Sequence, residues 1–216
     1  MKFVDIHTHA IFKPDLVQIR DLSSKYTEEM AKLGYFSLGI HPWFVQEDTL
    51  LEELQKIEAK IGDKAFLAIG ECGLDKACKT NFDLQLKAFQ MQIELSEKFK
   101  KPIILHVVKA FNELIKLRQE LKSKQPWIVH GFNGSPQLAK QLNDLGVFVS
   151  FGIQLKNQNS KAAKTILGLS PQSFFLETDN AEITIQEIYS LASRYLGLPI
   201  ELLQSRLWLN FEALFL

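Results

Sequence analysis

The chain has 216 residues, 46% of them hydrophobic and 23% charged, an ordinary globular composition with enough length for a substantial core in one domain. Its 25 basic and 25 acidic residues cancel, which excludes a broad basic field for a polyanion and makes any nucleic-acid contact a local one. Two cysteines, Cys72 and Cys78, are too few for a disulfide framework, and neither a signal-peptide form nor an apolar run of roughly 18 residues is present, so the expectation is a cytoplasmic protein with no membrane partner.

In chain order, apolar runs of strand length fall at residues 2–6, 16–20, 35–40, 65–70, 102–106, 126–130, 147–151 and 173–177, the run at 16–20 being the weakest. Near-continuous apolar strands suit a parallel sheet covered on both faces. Helical periodicity fills several of the gaps: Leu50, Leu51, Leu54, Ile57 and Ile61, then Phe82, Leu86, Phe89 and Ile93, then Phe111, Leu114 and Ile115, then Leu138, Leu142 and Leu145. Ser135-Pro136 offers a cap followed by proline at the first helical position, Thr80 or Asn81 a cap for the helix near Phe82, and Gly146 a stop after Leu145. Strand and helix alternating about eight times predict an α/β chain folded as a (β/α)₈ barrel or an open doubly wound sheet. Barrels typically run to ~250 residues, so this would be a trimmed one.

The opening stretch Val4-Asp5-Ile6-His7-Thr8-His9 puts Asp5, His7 and His9 on one face of a strand, because side chains alternate with period 2. Two imidazoles are thus aimed at one point, although an isolated His-x-His pair is as often structural as metal-binding. The other histidines decide between these. All five, His7, His9, His41, His106 and His130, fall at or just past the C-terminal end of a predicted strand, which in a barrel is the active-site face. Glu71 and Asp179 join them there. Imidazoles and carboxylates converging on one rim have the number and type needed for two divalent ions with a bridging carboxylate.

The blocks Asp5-Ile6-His7-Thr8-His9, Gly39-Ile40-His41-Pro42-Trp43, Gly70-Glu71-Cys72-Gly73-Leu74-Asp75, Pro102-Ile103-Ile104-Leu105-His106, His130-Gly131-Phe132-Asn133-Gly134-Ser135 and Leu176-Glu177-Thr178-Asp179 resemble, in order and spacing, the signatures of the TatD family of metal-dependent deoxyribonucleases. Asn210-Phe211-Glu212-Ala213-Leu214-Phe215 is similar to that family's C-terminal helix. The resemblance implies a single TIM-barrel domain over residues 1–216 with a two-metal site. It implies that His7, His9 and Asp179 hold one ion, that Glu71 bridges, and that His106 and His130 hold the second. Three departures mark this chain: Val108-Lys109 stands where the family usually has an arginine, Asn180-Ala181-Glu182 where a proline commonly follows the aspartate, and the segment between His9 and Gly39 is short.

Two divalent ions bring the pKa of a shared water towards neutrality, and Asp179 is the natural group to orient that water and accept its proton. The expected activity is DNase or phosphodiesterase hydrolysis at DNA ends by a monomer; hydrolysis of small esters, amides or lactones is open to the same centre. The ligand types suit zinc, whereas the resembled family is associated with magnesium or manganese. His41 and Lys109 are candidate substrate contacts, Lys109 as a point charge on phosphate in place of the arginine. Asp75 reads as a loop cap or a group orienting a ligand, and Asp5 as a partner of His7 or part of the barrel floor. Trp43 and Phe132 read as rim packing or as surfaces for stacking bases.

Overall fold

The computed structural model describes residues 2–23 and 25–216. The strands are β1 (Val4–Thr8), β2 (Val17–Asp21), β3 (Phe36–Leu38), β4 (Phe66–Asp75), β5 (Ile103–Val108), β6 (Trp127–Val129), β7 (Val147–Phe151) and β8 (Phe174–Leu176). The helices are α1 (Glu28–Lys32), α2 (Leu50–Lys60), α3 (Phe82–Phe99), α4 (Phe111–Leu121), α5 (Pro136–Asp144), α6 (Lys161–Ile166), α7 (Ile185–Leu196) and α8 (Ile200–Phe215). The strands lie in one sheet in the order β1 to β8, and the pairs β1–β2, β3–β4, β4–β5 and β7–β8 run parallel. This sequential order is that of a (β/α)₈ barrel, the first of the two predicted folds. Among the described residues no helix is long and apolar enough to cross a membrane.

Two compact units divide the chain: Met1–Arg20 with Val129–Leu216, and Asp21–Ile128. In the first, β1 is buried throughout, and an isolated parallel bridge joins Thr8 at its end to Asp179, beyond β8. Phe132, Phe151 and Phe174 pack edge to face in sequence, with ring centroids 6.0 and 5.6 Å apart. Phe132 is therefore core, and its burial removes it as a surface for stacking bases. Tyr189 on α7 accepts from the Val4 N–H and donates to the Val4 carbonyl, both at 3.3 Å. Asn210 on α8 donates to the carbonyls of Pro171 and Phe174 at 2.8 and 3.1 Å. Both contacts satisfy backbone groups next to strand ends that would otherwise be buried without partners. Ser135 caps α5 as predicted, its hydroxyl accepting from the Leu138 N–H at 3.2 Å.

In the second unit, β4 runs five residues past its predicted end, because Glu71 and Asp75 are buried in the strand although they are acidic. Gly73 (φ 136°) makes this path possible, since a Cβ there would stand 2.2 Å from the His106 carbonyl oxygen on β5. Asn81, not Thr80, caps α3, accepting from the Leu84 N–H at 3.0 Å. Two glutamines one heptad apart on the buried face of α3 reach back to the sheet. Gln92 accepts from the Ile40 N–H at 2.7 Å and donates to the Ile40 carbonyl at 3.2 Å. Gln85 does the same at Asp75, accepting at 2.8 Å and donating at 3.0 Å. These buried amides replace missing ladder bonds where β3 and β4 end, and so fix the backbone beside His41 and at Asp75.

Candidate metal centre

In the first unit, His7 lies inside β1 with no exposed surface, and His9 is one residue past the strand. Asp179 follows β8 in the left-handed region (φ 50°). Its N–H donates to the His7 carbonyl at 3.0 Å and its carbonyl accepts from the His9 N–H at 3.2 Å, so the backbone itself threads the carboxylate between the two histidines. Asp179 Oδ1 stands 3.7 Å from His7 Nε2 and 3.5 Å from His9 Nε2. One ligand atom from each of the three residues falls within 4.8 Å of the others. Two imidazole nitrogens and a carboxylate oxygen at this spacing fit a small divalent cation.

His130, just past β6, lies with its ring centroid 4.4 Å from that of His7. Its Nδ1 is 3.4 Å from Oε1 of Glu177, which also accepts from the Gly131 N–H at 2.6 Å and, at the other oxygen, from the Ser150 hydroxyl. Burial works to raise the Glu177 carboxyl, but His130, the charge of His7 and the Ser150 hydroxyl outweigh it and hold the group below the usual carboxylate range. An ionised Glu177 beside Nδ1 favours the tautomer with its proton on Nδ1, which leaves Nε2 as the nitrogen with a lone pair. Sequence spacing alone assigns Glu177 no role.

Asp5 lies buried on β1, on the floor below the histidines. Its carboxylate accepts from the Thr178 N–H at 3.0 Å and the Thr178 hydroxyl at 2.7 Å, tying β1 to the segment after β8. Burial pushes its pKa from 3.8 up to about 7, against the hydrogen bonds from Thr178. The folded state therefore holds a proton that the unfolded chain releases near pH 4. The stability this proton supports is fully present below about 3.8 and is lost as pH rises towards about 7. In metal-free protein, denaturant unfolding should show wild-type stability falling across that window by an amount on the order of 4 kcal/mol at most. Asp5→Asn should flatten the slope. An identical slope in the two proteins would show that Asp5 is ionised in the folded state.

The second unit has its own cluster. Glu71 Oε1 is 2.9 Å from His106 Nδ1 and 3.2 Å from His41 Nε2, and these three residues also place their ligand atoms within 4.8 Å of one another. Asp21, at the end of β2, accepts from the Glu71 N–H at 3.2 Å and from the Ser23 hydroxyl at 2.5 Å, and Ser23 in turn accepts from the Gly39 N–H at 3.0 Å. Hydrogen bonding separates the roles of the two histidines. His41 Nδ1 accepts from the Trp43 N–H at 3.2 Å, so neutral His41 carries its proton on Nε2, where it donates to Glu71. His41 is a proton donor in this arrangement and not a lone-pair ligand.

His106 is the converse case. Its Nε2 faces Asp75 Oδ2 at 3.2 Å. Asp75 also accepts from the Trp43 indole N–H at 2.6 Å and from the Ala77 N–H at 2.6 Å. Burial works to raise the Asp75 carboxyl, but these donors outweigh it and keep it below the usual carboxylate range. With a cation at Glu71, 2.9 Å from Nδ1, the His106 proton would sit on Nε2 towards Asp75, and Nδ1 would present its lone pair to the ion. Both sequence readings of Asp75 thus hold at once, as loop cap and as orienting group. Lys109 is exposed one residue past β5, in the left-handed region (φ 54°). Cys72 is buried, and burial pushes its thiol well up, so it stays protonated and unreactive.

The TatD related DNase family model matches residues 8–215. A metal-dependent hydrolase of Mycoplasma genitalium is 30% identical over 220 residues, which cover 85% of this chain and 82% of that protein. Among solved structures, the TatD homologue YjjV of Escherichia coli aligns with a TM-score of 0.84 at 23% identity, over 99% of this chain and 97% of its own. An amidohydrolase of Saccharomyces cerevisiae aligns with a TM-score of 0.77 at 14% identity, over 99% of both chains.

Proposed function

The chain belongs to the TatD related DNase family of metal-dependent hydrolases, and on that premise we propose that it is a phosphodiesterase that cleaves DNA ends with two divalent ions. The observation that carries the reading is the pair of donor clusters at strand ends, His7–His9–Asp179 and Glu71–His106 with His41 beside them. Zinc, magnesium or manganese suits their nitrogen and oxygen donors. Bound divalent ions would supply charge stabilisation on the attacked phosphate and ease the ionisation of water at neutral pH.

The protein's own groups do the rest. Asp179, 40% exposed and held between His7 and His9, accepts the proton of the attacking water. Glu177 and Asp75 fix the tautomers of His130 and His106, so that each presents a lone pair without having to rotate or lose a proton. His41 has its Nε2 proton facing the Glu71 carboxylate; it is the donor suited to a non-bridging phosphate oxygen that shares that position. Lys109 would add a mobile positive charge on the strand backbone, without the forked geometry of an arginine.

A second reading, hydrolysis of small esters, amides or lactones, uses the same residues and draws support from the fold shared with the yeast amidohydrolase. One panel separates the two. Metal-loaded protein is assayed on single-stranded DNA, duplex DNA, a simple phosphodiester and a simple carboxylic ester, each with and without chelator. The phosphodiesterase reading expects chelator-sensitive release of nucleotides, faster from single-stranded than from duplex ends. Turnover of the carboxylic ester with none of the phosphodiesters would replace it with the second reading.

A further inference from the structure

Trp43 and Phe44 are consecutive large aromatics with 53% and 62% of their surface exposed. Hydrogen bonds and ring contacts position both. The Trp43 indole N–H is held by Asp75, its backbone N–H by His41 Nδ1, and its carbonyl accepts from the Thr80 hydroxyl at 3.0 Å. The Phe44 N–H donates to the His41 carbonyl at 3.0 Å. The Trp43 ring stands edge-on to His41 and His106, at centroid distances of 4.9 and 5.7 Å, and Phe44 lies 5.7 Å from His41. Two solvent-facing rings are thus fixed in direct contact with the histidines beside Glu71.

Their mutual geometry suits a planar ligand. The ring centroids are 6.4 Å apart at an interplanar angle of 75°, so a flat ring laid face to face on one meets the other edge-on, and both arrangements are attractive for aromatic rings. The chain's formal net charge of +0 leaves little long-range pull on a phosphate backbone, so a nucleic-acid strand needs another source of affinity. Stacking on aromatic side chains provides it without regard to sequence. We propose that Trp43 and Phe44 form a shelf on which one unpaired nucleobase stacks, seating the adjoining phosphate beside His41. The proposal rests on the phosphodiesterase reading and adds to it a subsite for one unpaired base.

The test is binding, measured by anisotropy of end-labelled oligonucleotides in the presence of chelator, so that nothing is cleaved. An oligothymidylate is compared with an abasic strand of the same length and charge. Stacking of about 1–3 kcal/mol per base predicts roughly 5- to 150-fold tighter binding of the base-bearing strand by the wild type. The difference should vanish in Trp43→Ala/Phe44→Ala and survive in large part in Trp43→Phe, which keeps a ring but loses the bond to Asp75. Equal affinity of the wild type for both strands, or full discrimination in the double variant, would overturn the shelf. Cleavage by metal-loaded wild type is scored separately. Base discrimination without cleavage would keep the shelf and remove the phosphodiesterase reading, whereas cleavage without base discrimination would do the reverse.

Discussion

Asp179→Asn should lower turnover by about 10²- to 10⁴-fold, the usual contribution of a general base, while metal content falls far less. The backbone makes this substitution a clean one. Asp179 sits in the left-handed region, where asparagine is among the few residues that rest without strain. The hydrogen bonds that place it, to the His7 carbonyl and from the His9 N–H, belong to the main chain and survive the change. The amide keeps an oxygen within reach of the same ion, and His7 and His9 still supply their nitrogens. Only the capacity to take a proton is lost. Single-turnover rates and elemental analysis on the same preparation separate the two effects. Full activity in Asp179→Asn with metal content unchanged would move the base elsewhere.

The strands were legible because buried parallel strands read as short apolar runs, and all eight lie where such runs fall, with bounds shifted by a few residues. The exception in length is β4. Gly70, Glu71, Gly73 and Asp75 break its apolar pattern, and the residues that carry the site hide the strand that carries them. Among the helices, α1, α6 and α7 escaped, α7 although Thr184 and Glu187 form a reciprocal capping box that the sequence spells as Thr-x-x-Glu. The site histidines were legible from their position at strand ends. Their partners were not. Gln85 and Gln92 sit in the apolar stripe of α3, where glutamine reads as a flaw in the pattern; only the fold shows that each satisfies a strand-end peptide. The separate roles of His41 and His106 rest on which ring nitrogen meets a backbone N–H and which meets a carboxylate, and no spacing rule contains that information.

Glu71 carries the heaviest demand in the account. It is the buried carboxylate between His41 Nε2 and His106 Nδ1, and it supplies the negative charge that a cation beside His106 Nδ1 requires. Family resemblance assigns it both ions, so that its removal should cost the protein both. In Glu71→Ala two imidazoles also lose a partner, which destabilises the fold by about 1–3 kcal/mol; Glu71→Gln, with nearly the same shape, shows how much of any change is folding alone. Turnover in the alanine variant should fall to background. The decisive measurement is the number of ions per chain, by elemental analysis, after stripping and reloading wild type and Glu71→Ala side by side. Two ions in the wild type and none in the variant is the predicted result. Two ions retained in a folded Glu71→Ala would contradict the assignment of the metal centre, and one retained ion would confine Glu71 to the cluster with His41 and His106.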